Sequence, residues 1–238
     1  YGTELKEDLN ENVPMIAAGC MKLPIAVSLI KAVEDKKVDF MDKVKIQSGD
    51  KVYGTGIIHE FNEREYTVFE LLVIMLIQSD NTAANKIIDI VGMEQINEDI
   101  IAMGLKNTRL NRKTNDERTA ITDVENITTA YDLSRIWKHL ANGTFLSKDN
   151  GQMLIDILRR QQIKNKLALY IPDDLKIEIS SKTGDKKGVE NDTAYLELPK
   201  GKFTFTVLSQ DIPNSVYGTV SLAKCGKMMW DEVMNNWN

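Results

Sequence analysis

The chain has 238 residues, 42% of them hydrophobic and 27% charged, with a formal net charge of -5. That apolar content is enough to bury a core and excludes an intrinsically disordered chain, while the acidic balance argues against a nucleic-acid partner, which needs clustered Lys and Arg. The longest apolar run, "VFELLVIMLI", falls well short of the roughly 18 residues of a membrane span and reads as a buried core helix.

In chain order, a short strand signal after Thr3 is followed by an apolar helix, "KLPIAVSLIKAVED". A long helical block comes next, in which "TVFELLVIMLIQ", "TAANKIIDIVG", "MEQINEDIIAMG", "TTAYDLSRIWKHLANG" and "SKDNGQMLIDILRRQ" carry apolar residues at helical spacing. Thr or Ser opens several of these as an N-cap, and three run into Gly. After Pro172 the period changes to two, so "KIEISSKTG", "DTAYLELPKGK" and "FTFTVLSQD" read as strands of an antiparallel meander, with "PKGK" as a turn. A last amphipathic helix, "SVYGTVSLAKCGKMMWDEVMNNW", closes the chain. The predicted class is α+β: an antiparallel sheet flanked by helices, plus an all-α lobe. One domain, 1–238, is expected, with an α/β lobe from 1–48 and 165–238 and the all-α lobe from 49–164.

Three short stretches carry chemistry. Ser79, Asp80 and Asn81 follow one apolar helix and open the next, where a hydroxyl and an amide can face a cleft. Lys182, Thr183 and Gly184 end a strand and set an ammonium and a hydroxyl beside a residue that permits close backbone approach. Lys22 follows Gly19 by three positions, about one helical turn, so the two share a face. Each alone is weak. Together and in this order, the Lys of Ser-x-x-Lys, a Ser-Asp-Asn and a Lys-Thr-Gly form a set with a known chemistry.

The chain resembles class A β-lactamases and penicillin-binding proteins from about Thr3 onward, with "AAGCMKLP", "QSDNTAANK", "ENITTAYDL" and "SSKTGD" where that family's elements fall. The resemblance implies a β-lactamase-like fold and an acyl-enzyme route to β-lactam or D-alanyl-peptide amide cleavage. It makes Lys22 the residue that exchanges a proton with the nucleophile and Ser79 the relay to the leaving nitrogen. Asn81 would hold the substrate amide and the lysine. Lys182 and Thr183 would receive the substrate carboxylate, with Gly184 beside them, and the backbone N–H groups of Gly19 and Asp185 would form the oxyanion hole. Tyr53, in "KVYGTG", either flanks the cleft as an aromatic wall or simply packs. The partner is a small molecule, with no cofactor and no metal. The protein is expected to be a monomer, and the family's substrates imply export.

The departures are as informative as the matches. The nucleophilic serine of the family falls on Gly19, which removes the attacking atom. Cys20 is adjacent, but one residue along a helix turns a side chain by about 100°, away from Lys22; it reads as a small buried residue behind the helix. In the loop from about Arg109 to Ile127, the resemblance puts Thr114 at the position of the glutamate that activates the deacylating water; Asp116 and Glu117 nearby either substitute for it or belong to a charged loop that faces solvent, the reading preferred here. The long helix and sheet strand with which the family begins are not found before Tyr1, and the start without Met or a signal sequence reads as a trimmed product. His59, His139 and the two cysteines, Cys20 and Cys225, have no metal-ligand spacing. Three functions follow: a β-lactamase-like serine hydrolase silenced at position 19, a non-catalytic binder of β-lactam-like or cell-wall peptide ligands, and a thiol acyltransferase using Cys20.

Overall fold

A computed structural model describes residue 6 and residues 8–114, 124–172 and 177–236. The strand signal after Thr3 falls mostly on residues outside that set, as do Asp116 and Glu117.

Each helix of the sequence reading is present, and its ends follow from local chemistry. Helix α1, Lys22–Glu34, is apolar on every side; its residues from Lys22 to Ile30 are all buried, so it runs through the interior. Pro24 sits in its first turn, where a backbone N–H has no helical partner to lose. Helix α2, Val68–Ile77, starts with a reciprocal cap: Thr67 Oγ1 accepts from the Glu70 N–H and Glu70 accepts from the Thr67 N–H. Helices α3, Asn81–Val91, and α4, Met93–Ala102, meet at Gly92, whose φ of 90° makes the corner. Helix α5, Ala130–Asn142, is capped by Thr129 and ends on left-handed Gly143, and α6, Lys148–Arg159, is capped by Ser147.

The period-two region forms β5 (Ile179–Lys186), β6 (Val189–Leu198) and β7 (Gly201–Gln210), an antiparallel sheet in the order β5-β6-β7. Strand β6 begins earlier than "DTAYLEL" suggested, because Lys187 and Gly188 close a two-residue hairpin that pairs Lys186 with Val189; Gly188 has φ 78°. Two short pairs fall outside the sequence reading: β1 (Met15–Ile16) with β4 (Ile127–Thr128), and β2 (Lys43–Ile46) with β3 (Arg64–Thr67). β1 and β4 are two residues long, too brief to show an alternation, and the alternating Lys-Val-Lys-Ile of β2 lies within a charge-rich stretch.

Strand alternation sends the two sheet faces to different cores. On one face, Thr193 Oγ1 accepts from Trp137 Nε1 of α5 at 2.8 Å, and Tyr195 stacks on the same indole with centroids 6.0 Å apart. That face joins a core built from α1 to α6. On the other, Ile179, Ala194, Leu196 and Phe203 pack against Leu167 and against Trp230 and Val233 of helix α7, Ser215–Asn236. Each fully buried Leu, Ile or Val contributes about 1.5–3 kcal/mol. Strand β5 is thus gripped from both faces, and its Lys-Thr-Gly end is held against the start of α1.

Candidate active site

Backbone contact at two glycines builds the floor of the site. The turn Ala18–Met21 leads into α1, and Ala18 takes φ 45°, a conformation rare for a residue with a side chain. This turn lies against β5 so closely that a Cβ on Gly184 would stand 2.9 Å from the nitrogens of both Gly19 and Cys20. A Cβ on Gly19 would stand 2.7 Å from the Thr183 carbonyl oxygen and 3.2 Å from Ser79 Oγ. The strand before the turn is tied to β6, since Asn191 Nδ2 donates to the Ile16 carbonyl at 2.8 Å.

Above the floor, two predicted lysines converge on one predicted hydroxyl. Ser79 links α2 to α3 with φ 54°, again left-handed, and turns its side chain inward. Lys182 Nζ donates to Ser79 Oγ at 3.0 Å and to the Thr183 carbonyl at 2.7 Å. From the other side, Lys22 Nζ lies 3.1 Å from Ser79 Oγ and donates to the Ser79 carbonyl at 2.6 Å and to Asn81 Oδ1 at 2.8 Å. Both lysines are buried, so both ammonium forms are disfavoured. Burial, and then the charge of Lys182, push Lys22 well below the ordinary lysine range. Burial also lowers Lys182, to about 8, against the opposing pull of Cys20, Asp185 and Asp192.

Asp80 fixes this arrangement from behind. Fully buried, it caps α3 by accepting from the Ala83 N–H at 2.8 Å, and its other oxygen accepts from the N–H groups of Ile57 and Ile58 at 2.7 and 2.8 Å. The loop that Asp80 holds brings Thr55 Oγ1 to the Ser79 carbonyl at 2.8 Å and the Tyr53 carbonyl to Asn81 Nδ2 at 3.3 Å. The Tyr53 ring itself is exposed, 5.3 Å from the His59 ring.

The remaining predicted residues lie elsewhere around β5. Thr183 is fully buried on the face of the sheet opposite Lys182, and its hydroxyl accepts from Gln161 Nε2 at 3.2 Å. Asp185 sends its side chain to an ion cluster that the sequence gave no sign of. There Lys166, only 1% exposed, pairs with Asp185 and lies 2.7 Å from Glu190 Oε2, and also donates to the Asn191 carbonyl. Burial would raise the Asp185 carboxyl, but the hydrogen bond with Glu190 and the Lys166 charge hold it below its usual value; burial and that same hydrogen bond raise Glu190. Beside them, burial lifts Asp192 to about 7, although its Oδ2 accepts from the Leu167 N–H. Lys166 is one of two lysines in "IKNKLALY", and no spacing singles it out.

Cys20 is fully buried, its thiol donating to the Lys182 carbonyl at 3.2 Å, and burial raises it to about 12. Thr114 is clasped through its backbone, accepting from Asn85 Nδ2 at 3.0 Å and donating to Asn85 Oδ1 at 2.8 Å. The neck of that loop is closed by reciprocal hydrogen bonds between Arg109 and Ile127. No group of three or more His, Cys, Asp or Glu able to hold a metal occurs among the described residues, and no described helix is long and apolar enough to cross a membrane.

Residues 2–233 match the Beta-lactamase enzyme family. The chain belongs to the beta-lactamase enzyme family. Among solved structures, this beta-lactamase family member is similar to a beta-lactamase from Sphaerobacter thermophilus DSM 20745, with 26% identity and a TM-score of 0.90 over 95% of this chain and 86% of that one. It also shares its fold with PBP-A, at 24% identity and a TM-score of 0.82 over 94% of this chain and 83% of that one; a PBP-A mutant has been solved as an acyl-enzyme complex with penicillin G. An ancestral class A beta-lactamase of Gram-negative bacteria matches with 22% identity and a TM-score of 0.85 over 94% of this chain and 87% of that one. No curated protein matches. The β-lactamase-like α+β fold expected from the sequence is therefore the fold of this family member.

Proposed function

We propose that this cleft binds β-lactams or acyl-D-alanyl amides, and that the acyl-enzyme usual for β-lactamase-like serine hydrolases does not form at position 19. One observation carries the reading: hydrogen bonds join Asn81, Lys22, Ser79 and Lys182, and the shared Ser79 Oγ lies 3.2 Å from where a side chain on Gly19 would begin. Burying two lysines is costly unless their charge is used, and perturbed, converging titratable groups mark functional sites. Lys182 receives the ligand carboxylate, whereas the Thr183 hydroxyl, buried on the opposite face of β5 against Gln161, does not share in that contact. Asn81 orients the ligand amide while its oxygen holds Lys22. The N–H groups of Gly19 and Asp185 face the ligand carbonyl.

Hydrolytic turnover lacks a second part as well. Thr114, at the position that the resemblance gives to the water-activating glutamate, offers no carboxylate, so an ester formed in the site would turn over slowly. The thiol route finds no support in the Cys20 geometry, because a buried thiol raised to about 12 is not a thiolate at neutral pH. Ligands of this kind are met outside the cytoplasm, and we infer that the protein works there, as a monomer.

Calorimetric titration with penicillin G, the ligand of the PBP-A mutant complex, tests the proposal. Saturable binding is expected, weakened at least tenfold in Lys182→Ala. Binding untouched by that substitution would count against the assigned carboxylate contact.

A further inference from the structure

We propose that Ser79 is itself a nucleophile, and that its Oγ takes the acyl group of a β-lactam or D-alanyl amide that position 19 has no atom to accept. The inference rests on the reading above that such ligands enter this cleft. It goes beyond it in assigning a covalent step to a residue that the family resemblance makes only a proton relay.

Hydrogen-bond accounting around Ser79 supports the assignment. A neutral lysine amine has two N–H donors and one lone pair. The donors of Lys22 are matched by the Ser79 carbonyl at 2.6 Å and Asn81 Oδ1 at 2.8 Å, which leaves the lone pair for the one remaining neighbour, Ser79 Oγ at 3.1 Å. Burial and the Lys182 charge favour this neutral form of Lys22. The Ser79 hydroxyl then donates to Lys22 and accepts from Lys182 at 3.0 Å, so it has a base on one side and a cation on the other. A serine activated by an adjacent base within hydrogen-bond reach is the general pattern of covalent catalysis.

Backbone geometry points the same way. Ser79 is held at φ 54°, where a serine costs about 1–3 kcal/mol and is retained when the surroundings or a function require it. Its Oγ lies 3.2 Å from the place where a side-chain carbon on Gly19 would begin, so a carbonyl held by the Gly19 N–H is within its reach.

The step balances without a further reactant. As the Oγ–carbon bond forms, the hydroxyl proton passes to Lys22. The carbonyl carbon–nitrogen bond then breaks, its electron pair goes to the nitrogen, and the nitrogen takes that proton back from Lys22. Lys182 remains an ammonium throughout. The product is an ester on Ser79, and with threonine at position 114 it accumulates as one adduct per chain.

The test is intact-protein and peptide mass spectrometry of the unaltered chain after incubation with penicillin G, with the calorimetric titration run in parallel. One added ligand mass, mapped to the peptide containing Ser79 and lost in Ser79→Ala, is expected. If Ser79→Ala does not fold, the peptide map of the unaltered chain decides. An adduct on Cys20, Cys225 or any other residue overturns the proposal. Saturable binding with no adduct overturns it and leaves the binding function standing, whereas neither binding nor adduct overturns both.

Discussion

The carbonyl oxygen of Thr183 stands 2.7 Å from the point where a side-chain carbon on Gly19 would begin. Strand β5 lies close against Gly19, so a serine there does not drop into a waiting cradle. Replacing Gly by Ala at an unstrained site usually stabilises by about 0.4–1 kcal/mol, but forcing an extra carbon into a packed site costs about 1–3 kcal/mol. The second effect should win, because the obstructing atom is backbone of a strand gripped from both faces. Thermal unfolding of Gly19→Ala is expected to show a midpoint lowered by roughly 2–6 °C, at about 2–4 °C per kcal/mol for a chain of this size. An unchanged or higher midpoint would mean that β5 yields, and Gly19→Ser would then be the variant to assay for acylation.

Asp80 satisfies three backbone N–H groups from a fully buried position. Asp80→Ala removes a helix cap, worth about 0.5–2 kcal/mol, and leaves two further donors unpaired at about 1–3 kcal/mol each. A loss of about 3 kcal/mol or more is expected in urea unfolding. Because the same carboxylate positions the Thr55 loop against Ser79, penicillin G affinity should fall as well; a variant that unfolds normally and binds normally refutes this account of Asp80.

Asp192 gives the protein a pH dependence of definite sign. Its carboxyl is raised by burial from 3.8 to about 7 in the folded chain. Between those values the folded state holds the proton more tightly than the unfolded state, so this group's contribution to stability is full below about pH 4 and declines as pH rises to about 7. The charges of Lys166 and Lys182 pull the other way and Asp185 adds to the rise, but burial outweighs them. Asp192→Asn should flatten the stability profile between pH 4 and 7. A variant profile parallel to that of the unaltered chain would show that Asp192 does not titrate there.

Ligand affinity should carry the signature of Lys182. Its ammonium, with a pKa of about 8, is the proposed partner of the ligand carboxylate. Below that pH the charge is present; above it the charge and the contact are lost. The dissociation constant for penicillin G is expected to be flat below about pH 7.5 and to rise about tenfold per pH unit above 8, as a single deprotonation requires. Titrations from pH 6.5 to 9.5 provide the check, and an affinity constant over that range would exclude Lys182 as the carboxylate contact.

Local patterns of the sequence settled the helices, the meander, their caps and the three motifs, because spacing of apolar residues and the chemistry of Thr67, Thr129, Ser147 and Gly143 act within a few residues. The same patterns placed Lys22, Ser79, Asn81 and Lys182 on elements that meet. Tertiary structure alone decided the rest, since it depends on contacts between distant segments. It set two lysines on one hydroxyl, turned Thr183 to the far face of β5, and buried Lys166 among Asp185, Glu190 and Asp192. It also set β5 close against Gly19. A short strand such as Met15–Ile16 escaped the sequence reading for the same reason: two residues carry no pattern, and their pairing is fixed by a partner far along the chain.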